Sequence, residues 1–250
     1  IIAIDVDGNN RINLDLLNKK IKKIKQTGGR IRILAVVGIA GTTETGTIDP
    51  LKEIGMLCSE NKIHFHVDAA WGGPTLMSEK YSHLLDGIEL ADSVTIDCHK
   101  QFYMPMSCGM IYLNNPEKMN VIAYHANYVN RPGSVDLGIK SLAGSREANS
   151  LILDSALKIM GSKGYALLLD HGIELARKLA DEINRRASFE LIMPPELNII
   201  IYRLCPEKYH EVLSGEDSEQ KKNINKNFIF FFFCFLFFFF FLKKKKKKKN

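Results

Sequence analysis

Apolar runs of strand length alternate with helical segments through the first half of this 250-residue sequence. Residues 32–40 (RILAVVGIA) form a continuous apolar run, and residues 62–70 (KIHFHVDAA) and 93–99 also have the character of strands. A continuous apolar run is typical of a strand buried on both faces of a parallel sheet. Helical segments, the first at about residues 50–61, lie between these runs. The sequence therefore predicts an α/β fold, in which ligands bind beyond the carboxyl ends of the parallel strands.

The remaining segments complete this pattern. Residues 14–26 carry apolar side chains at three- and four-residue spacing among lysines, which predicts an amphipathic surface helix, and residues 109–113 form a further strand. Residues 145–186 contain two helical stretches, and glycines at positions 161 and 164 predict a break between them. Strands are expected at residues 189–193 and 198–204, where a second, smaller domain begins.

Residues 224–250 differ in composition from the rest of the chain. Residues 228–242 are an unbroken apolar run that holds 11 of the 14 phenylalanines, and seven lysines follow at 243–249. A helix of that length reaches only about 22 Å, short of the roughly 30 Å hydrocarbon core of a bilayer. Phenylalanine and lysine are encoded by runs of T and of A, so we interpret this tail as translated low-complexity nucleotide sequence and do not expect a membrane partner.

The net charge of +6 depends on the same tail. Without the seven lysines it becomes −1 (6 − 7), so basicity does not predict a nucleic-acid partner. The five cysteines are scattered singly, without a CxxC pair, and no secretory signal is visible at the beginning of the sequence. These features predict a cytoplasmic protein with free thiols.

The candidate chemistry lies in Asp68 and Lys100, each of which follows a predicted strand, with His99 directly before the lysine. Pyridoxal 5′-phosphate (PLP) requires an amine that forms the Schiff base and a carboxylate that keeps the pyridine nitrogen protonated. A carboxylate about 4 Å from that nitrogen contributes roughly 4 kcal/mol at an effective dielectric constant of 20. Either residue alone could be an ordinary loop or surface residue, but small residues beside Asp68 in HVDAAWGG leave room for a flat ring. Together they predict a PLP site.

Four segments carry a more specific likeness: GTTETGTIDP (41–50), HVDAAWGG (66–73), DCHKQFYMPMSCG (97–109) and GSREAN (144–149). Together they resemble the group II PLP-dependent amino acid decarboxylases, and the third is most similar to the bacterial aspartate/glutamate decarboxylase-like branch. The likeness covers roughly residues 32–205. It implies a carboxy-lyase that acts on an acidic amino acid, aspartate or glutamate, and forms a homodimer when complete.

The resemblance also implies the fold and its division. We expect the type I fold of PLP-dependent transferases, a mostly parallel sheet flanked by helices, with a truncated C-terminal small domain. Residues 1–160 would be part of the PLP-binding large domain, and residues 161–223 the beginning of the small domain. Residues 224–250 would lie outside the native structure.

Carried onto this sequence, the resemblance assigns the cofactor contacts. Lys100 would be the Schiff-base lysine, Asp68 the partner of the pyridinium nitrogen, and Ala70 the small residue packed against the ring. His99 would lie near the cofactor phosphate and the imine, and Thr43 near the ring substituents.

It also assigns the substrate contacts. Arg146 matches the family arginine that can meet the substrate carboxylate, with the bidentate geometry that arginine favours. Tyr128 falls where the family carries a mobile loop whose tyrosine assists protonation of the carbanion. Tyr124 is a rival for that position, and His99 is a second candidate for the proton donor.

Three other interpretations remain open. A cysteine desulfurase or related aminotransferase would use a nucleophilic cysteine, for which Cys205 is the late candidate. His64, His66 and Asp68 alternate along one strand, as ligands of a metal hydrolase can. Finally, an inactive fragment would bind PLP weakly, since the phosphate-binding turn of the family would precede residue 1.

Overall fold

The computed structural model describes residues 1–124, 133, 137–141, 147–204 and 230–234. Its helices are α1 (Leu14–Lys25), α2 (Leu51–Asn61) and α3 (Asn149–Asn184). Short 3₁₀ turns connect several elements, the first at Gly73–Met77. The strands are β1 (Ala35–Ile39), β2 (His64–Asp68), β3 (Ser93–Asp97), β4 (Gly109–Leu113), β5 (Phe189–Leu191), β6 (Ile199–Leu204) and β7 (Phe230–Cys234).

The main sheet has the strand order β1-β2-β3-β4. The β1–β2 and β2–β3 pairs are parallel, and β4 returns antiparallel to β3. Ile39 lies opposite Asp68, and Asp68 lies opposite Thr95, so the carboxyl ends of the three parallel strands meet at one edge. The predicted α/β fold with a mostly parallel sheet is confirmed, and its edge places Asp68 near the turn that follows β3.

One face of this sheet packs against α2 and forms the core. Phe65 of β2 is buried with Leu51 and Ile54 of α2, and burial of such side chains contributes about 1.5–3 kcal/mol each. A Cβ atom added at Gly38 of β1 would lie 3.2–3.3 Å from these three side chains. The missing side chain therefore lets the helix approach the strand closely.

The first strand differs from the prediction in one respect. The apolar run at residues 32–40 predicted burial on both faces, but β1 spans only Ala35–Ile39 and its burial alternates. Val37 is 50% exposed. The reason is that no element in the described part of the chain covers the face on which Val37, His64 and His66 lie.

The predicted helices are largely confirmed. In α1, Asn13 caps the N-terminus by accepting a hydrogen bond from the Leu16 N–H, and the face carrying Leu17 and Ile21 is buried. The break predicted in the long helical region occurs at Gly161, which has φ 63° and ψ 173° inside α3. Gly164 does not break the helix. Of the two glycines, only Gly161 has a φ in the left-handed region.

A second, antiparallel sheet has the order β5-β6-β7. Its central strand β6 packs on the end of α3, where Ala180, Ile183 and Ile200 form a small buried cluster. The backbone of β7, which lies within the tail at residues 224–250, pairs with β6. Among the helices of the described residues, none is long and apolar enough to cross a membrane.

Candidate active site

A tight turn after β3 brings Lys100 to the carboxyl edge of the sheet. The Lys100 N–H donates to the Asp97 carbonyl at 3.1 Å, and the Tyr103 N–H donates to the Lys100 carbonyl at 3.0 Å. Tyr103 has a positive φ of 59°, which reverses the chain direction. Asp68 lies at the same edge, at the end of the adjacent strand β2. The structure therefore brings the two residues of the predicted cofactor pair to neighbouring strand ends.

The Lys100 amine is held by a carboxylate. Its Nζ lies 3.1 Å from Asp97 Oδ2, and the Lys100 and Asp97 side chains are 31% and 23% exposed. The same Asp97 oxygen lies 3.7 Å from His99 Nε2. The role of Asp97 was not predicted from the sequence, although its spacing of three residues from Lys100 within a turn is the signal that could have suggested this contact.

His99 is fixed in orientation by the neighbouring strand. Its Nδ1 donates to the Cys108 carbonyl at 2.8 Å, and its backbone N–H donates to the same oxygen at 3.1 Å. Because a carbonyl oxygen only accepts, the proton is on Nδ1. The other ring nitrogen, Nε2, is thereby directed towards Asp97 and the Lys100 side of the turn.

Asp68 has one carboxylate oxygen engaged by its own loop. Oδ1 accepts a hydrogen bond from the Ala70 N–H at 3.1 Å, while the Asp68 carbonyl accepts from the Ala40 N–H at 2.8 Å. Within the described part of the chain, Oδ2 makes no hydrogen bond. An anchored carboxylate with a spare oxygen, the small residue Ala70 and an amine on the next strand end match the groups that PLP requires.

Thr43 lies in the turn that follows β1, the strand next to β2, and its side chain is exposed. The turn is stabilised by its other threonines, since the Thr45 hydroxyl lies 2.5 Å from that of Thr42 and 2.6 Å from that of Thr47. These contacts stabilise the turn at the carboxyl end of β1. The role of Thr43 stays a prediction.

Tyr128 and Arg146, predicted for the substrate, lie outside the described residues. So does Cys205, the candidate nucleophile of a desulfurase. Tyr124, the rival of Tyr128, is described and is exposed.

The two cysteines nearest Lys100 do not offer a replacement nucleophile. Cys98 and Cys108 are buried and unpaired by disulfide. Burial, supported by the neighbouring Cys108 thiol, raises the pKa of Cys98 to about 12, so the reactive thiolate is scarce at neutral pH.

The alternating histidines of β2 form a hydrogen-bonded ladder with β3. His64 Nε2 and His66 Nδ1 each lie 2.8 Å from the Ser93 hydroxyl. Burial lowers the pKa of His66, although the Asp68 carboxylate opposes this effect. The described residues contain no group of three or more side chains that could hold a metal ion, so the geometry gives the metal-hydrolase interpretation no support.

Two buried amide side chains near the site, those of Gln101 and Asn198, were not predicted from the sequence. Gln101 Nε2 donates to the Trp71 carbonyl at 2.8 Å, and Trp71 Nε1 donates to Asn198 Oδ1 at 3.0 Å. Gln101 directly follows Lys100, but no sequence motif marks it as a residue of the site. The Asn198 contact spans 127 residues of sequence and could be found only in the tertiary structure.

Comparison with known proteins identifies the family. The model of the pyridoxal-dependent decarboxylase conserved domain matches residues 1–205. An aspartate 1-decarboxylase from Aliivibrio fischeri is 49% identical over 224 residues, which are 90% of this chain and 41% of that protein. An L-2,4-diaminobutyrate decarboxylase from Acinetobacter baumannii is 34% identical over 84% of this chain and 42% of its own length.

Solved structures agree in fold. Mouse CSAD in its apo form superposes with a TM-score of 0.78 at 30% identity, covering 87% of this chain and 46% of that one. The glutamate decarboxylase domain of a diaminobutyrate-pyruvate transaminase and L-2,4-diaminobutyrate decarboxylase from Vibrio parahaemolyticus gives a TM-score of 0.69 at 27% identity. It covers 82% of this chain and 40% of that one.

This chain spans less than half the length of each of these four proteins. The predicted fold class is confirmed, and the family model carries the predicted cofactor in its name. The match confirms the family expected from the four sequence motifs: this chain belongs to the pyridoxal-dependent decarboxylase family.

Proposed function

We propose that the complete protein is a PLP-dependent carboxy-lyase that decarboxylates an acidic amino acid, with aspartate as the first candidate. The observation that carries the proposal is the placement of the Lys100 amine and the Asp68 carboxylate at neighbouring strand ends, with Asp68 Oδ2 left for a partner. The aspartate decarboxylase of Aliivibrio fischeri, at 49% identity, supports the substrate class.

In this proposal each side chain has a distinct role. Lys100 would hold the cofactor covalently through its amine, and Asp68 would accept a hydrogen bond from the ring nitrogen and keep it protonated. Bound PLP supplies an electron sink for the pair of electrons left when CO₂ departs. Asp97 Oδ2 lies 3.1 Å from the Lys100 amine, and the amine would leave this carboxylate to form the covalent link.

His99 would move a proton. Its ring is locked by Nδ1, so Nε2 is the atom that takes up or gives a proton on the Lys100 side. Arg146 would orient the substrate carboxylate by two parallel hydrogen bonds, and Tyr128 is the other candidate donor to the carbanion.

The proposal extends to the organisation of the protein. Residues 1–160 would belong to the PLP-binding large domain, residues 161–223 to the small domain, and residues 224–250 to neither. The complete protein would be a cytoplasmic homodimer, in agreement with the free thiols of Cys58, Cys98 and Cys108. Light scattering of the complete protein during size-exclusion chromatography would measure the assembly.

The decisive experiment is a CO₂-release assay on the complete protein with aspartate, glutamate, 2,4-diaminobutyrate, tyrosine and dopa. We expect aspartate to give the highest kcat/KM. A preference for 2,4-diaminobutyrate, tyrosine or dopa would show that the acidic-substrate proposal is wrong. Release of CO₂ from none of them would contradict the decarboxylase activity itself.

A further inference from the structure

The loop that carries Lys100 and the loop that carries Asp68 are joined by one buried amide. Gln101 is 1% exposed, and its Nε2 donates to the Trp71 carbonyl at 2.8 Å. Gln101 follows Lys100 directly, and Trp71 lies three residues after Asp68. This hydrogen bond therefore connects the two halves of the candidate cofactor pair through one peptide bond on the Lys100 side and three on the Asp68 side.

The same tryptophan continues the connection into the C-terminal part of the chain. Its indole Nε1 donates to Asn198 Oδ1 at 3.0 Å, and Asn198 is 2% exposed. A Cβ atom added at Gly172 of α3 would lie 3.4 Å from Asn198 Nδ2, so the amide is held between the helix and the indole. Asn198 directly precedes β6, the central strand of the second sheet.

Packing keeps the tryptophan loop in place on its other side. The Gly72 N–H donates to the Ala40 carbonyl at 2.9 Å. Leu197, which is fully buried, lies close enough that a Cβ added at Gly72 would contact its Cδ1 at 3.3 Å. Because a packed interior has little free volume, a displacement of Asn198 should also move the loop that contains Trp71 and the residues in contact with that loop.

We propose that Gln101, Trp71 and Asn198 form a positioning bridge that sets the place of Lys100 relative to Asp68 and makes this geometry depend on the C-terminal segment. The three are positioning residues, which act through the loops that carry the cofactor pair. The role of the bridge in cofactor binding rests on the proposed function, whereas the mechanical coupling between Asn198 and the Lys100 loop does not.

The coupling is tested without cofactor by hydrogen–deuterium exchange on the 250-residue chain. Asn198→Leu removes the acceptor of the indole N–H, and Trp71→Phe removes the donor while keeping an aromatic ring. Each should speed amide exchange in residues 97–103 about tenfold, since a broken buried hydrogen bond lowers the local opening free energy. Asn198 and residues 97–103 are joined through Trp71 and also through α3, whose Tyr165 hydroxyl donates to the Phe102 carbonyl at 3.3 Å. The Trp71→Phe variant therefore decides whether the response passes through the indole.

Matched variants separate the bridge from general destabilisation. Asn61→Leu removes another amide that donates to a backbone carbonyl, that of Leu57 at 2.7 Å, and it should leave exchange at residues 97–103 unchanged. Gln101→Met should reproduce the effect from the other end. The double variant Asn198→Leu/Trp71→Phe should exchange no faster than either single variant, because both break the same bond. Additive effects, or exchange at residues 97–103 equal to that of Asn61→Leu, would overturn the bridge.

A second measurement connects the bridge to the cofactor. The complete protein is incubated with PLP and reduced with borohydride, and the fraction of pyridoxyl on each lysine is mapped. We expect Gln101→Met and Asn198→Leu to lower the fraction on Lys100 at least fivefold relative to Asn61→Leu. Wild-type labelling on a different lysine would contradict the proposed function, whereas wild-type labelling on Lys100 that both variants retain would contradict only the bridge.

Discussion

At the residue scale, Lys100 and Asp68 supply different groups to the same cofactor, so their substitutions should fail in different ways. In the completed protein, Lys100→Ala should abolish the covalent link that borohydride reduces, while free PLP still binds through its phosphate. Asp68→Ala should keep the reducible link but lower turnover about a thousandfold, since roughly 4 kcal/mol of support for the protonated ring is lost. Peptide mapping and a CO₂-release assay measure the two outcomes, and Lys80→Ala, at an exposed ion pair with Glu174, is the control. Pyridoxyl found on Lys80 or Lys140 would refute the assignment.

His66 should make the stability of the fold depend on pH. Burial lowers its pKa below the ordinary value of 6.5, so the unfolded chain binds the proton more tightly than the folded one. Protonation then favours unfolding, and the free energy of unfolding should fall as the pH decreases through about 6.5 towards 5, with no contribution above about pH 7.5. His66→Gln should flatten this part of the profile in urea titrations, whereas His83→Gln, at an exposed position, should not. An unchanged slope in the His66 variant would show that another group is responsible.

At the scale of single elements, the loop after β2 depends on a residue without a side chain. A Cβ added at Gly72 would lie 2.3 Å from the Ala40 carbonyl oxygen, and this backbone atom cannot rotate away. Gly72→Ala should therefore lower the free energy of unfolding by about 1–3 kcal/mol, as overpacking in a core does. Because the loop directly follows Asp68 and carries Trp71, PLP binding should weaken as well. Thermal unfolding and PLP titration measure both effects. Gly8→Ala is the matched control, since a Cβ there meets nothing within 4 Å, and equal stability of the two variants would contradict the argument.

At the scale of the whole molecule, the tail can be tested by truncation. Deleting residues 224–250 removes β7 and uncovers one edge of β6, but β6 keeps its pairing with β5 and its packing on α3. We expect the rest of the fold to be unchanged and solubility to improve, because the phenylalanine run is lost. Circular dichroism, thermal unfolding and sedimentation measure these outcomes. Loss of the fold, or of a specific membrane attachment, would show that the tail belongs to the native protein.

The sequence by itself determined the α/β class, the family and the candidate cofactor pair. Each of these depends on local information: the apolar runs at the strands, the break at Gly161, and short motifs in which Asp68, His99 and Lys100 stand beside characteristic neighbours. Strand ends in a parallel sheet share one edge by geometry, so two residues that follow neighbouring strands could be expected to meet.

Only the tertiary structure decided which contacts hold these residues in place. The turn after β3 brings the Asp97 carboxylate to the Lys100 amine, and the Cys108 carbonyl selects the orientation of His99. The hydrogen bond between Trp71 and Asn198 spans 127 residues. The one-sided burial of β1 was also not predicted, because an apolar run does not reveal which faces other elements cover. Such contacts arise from packing between segments distant in sequence, and local patterns carry no information about them.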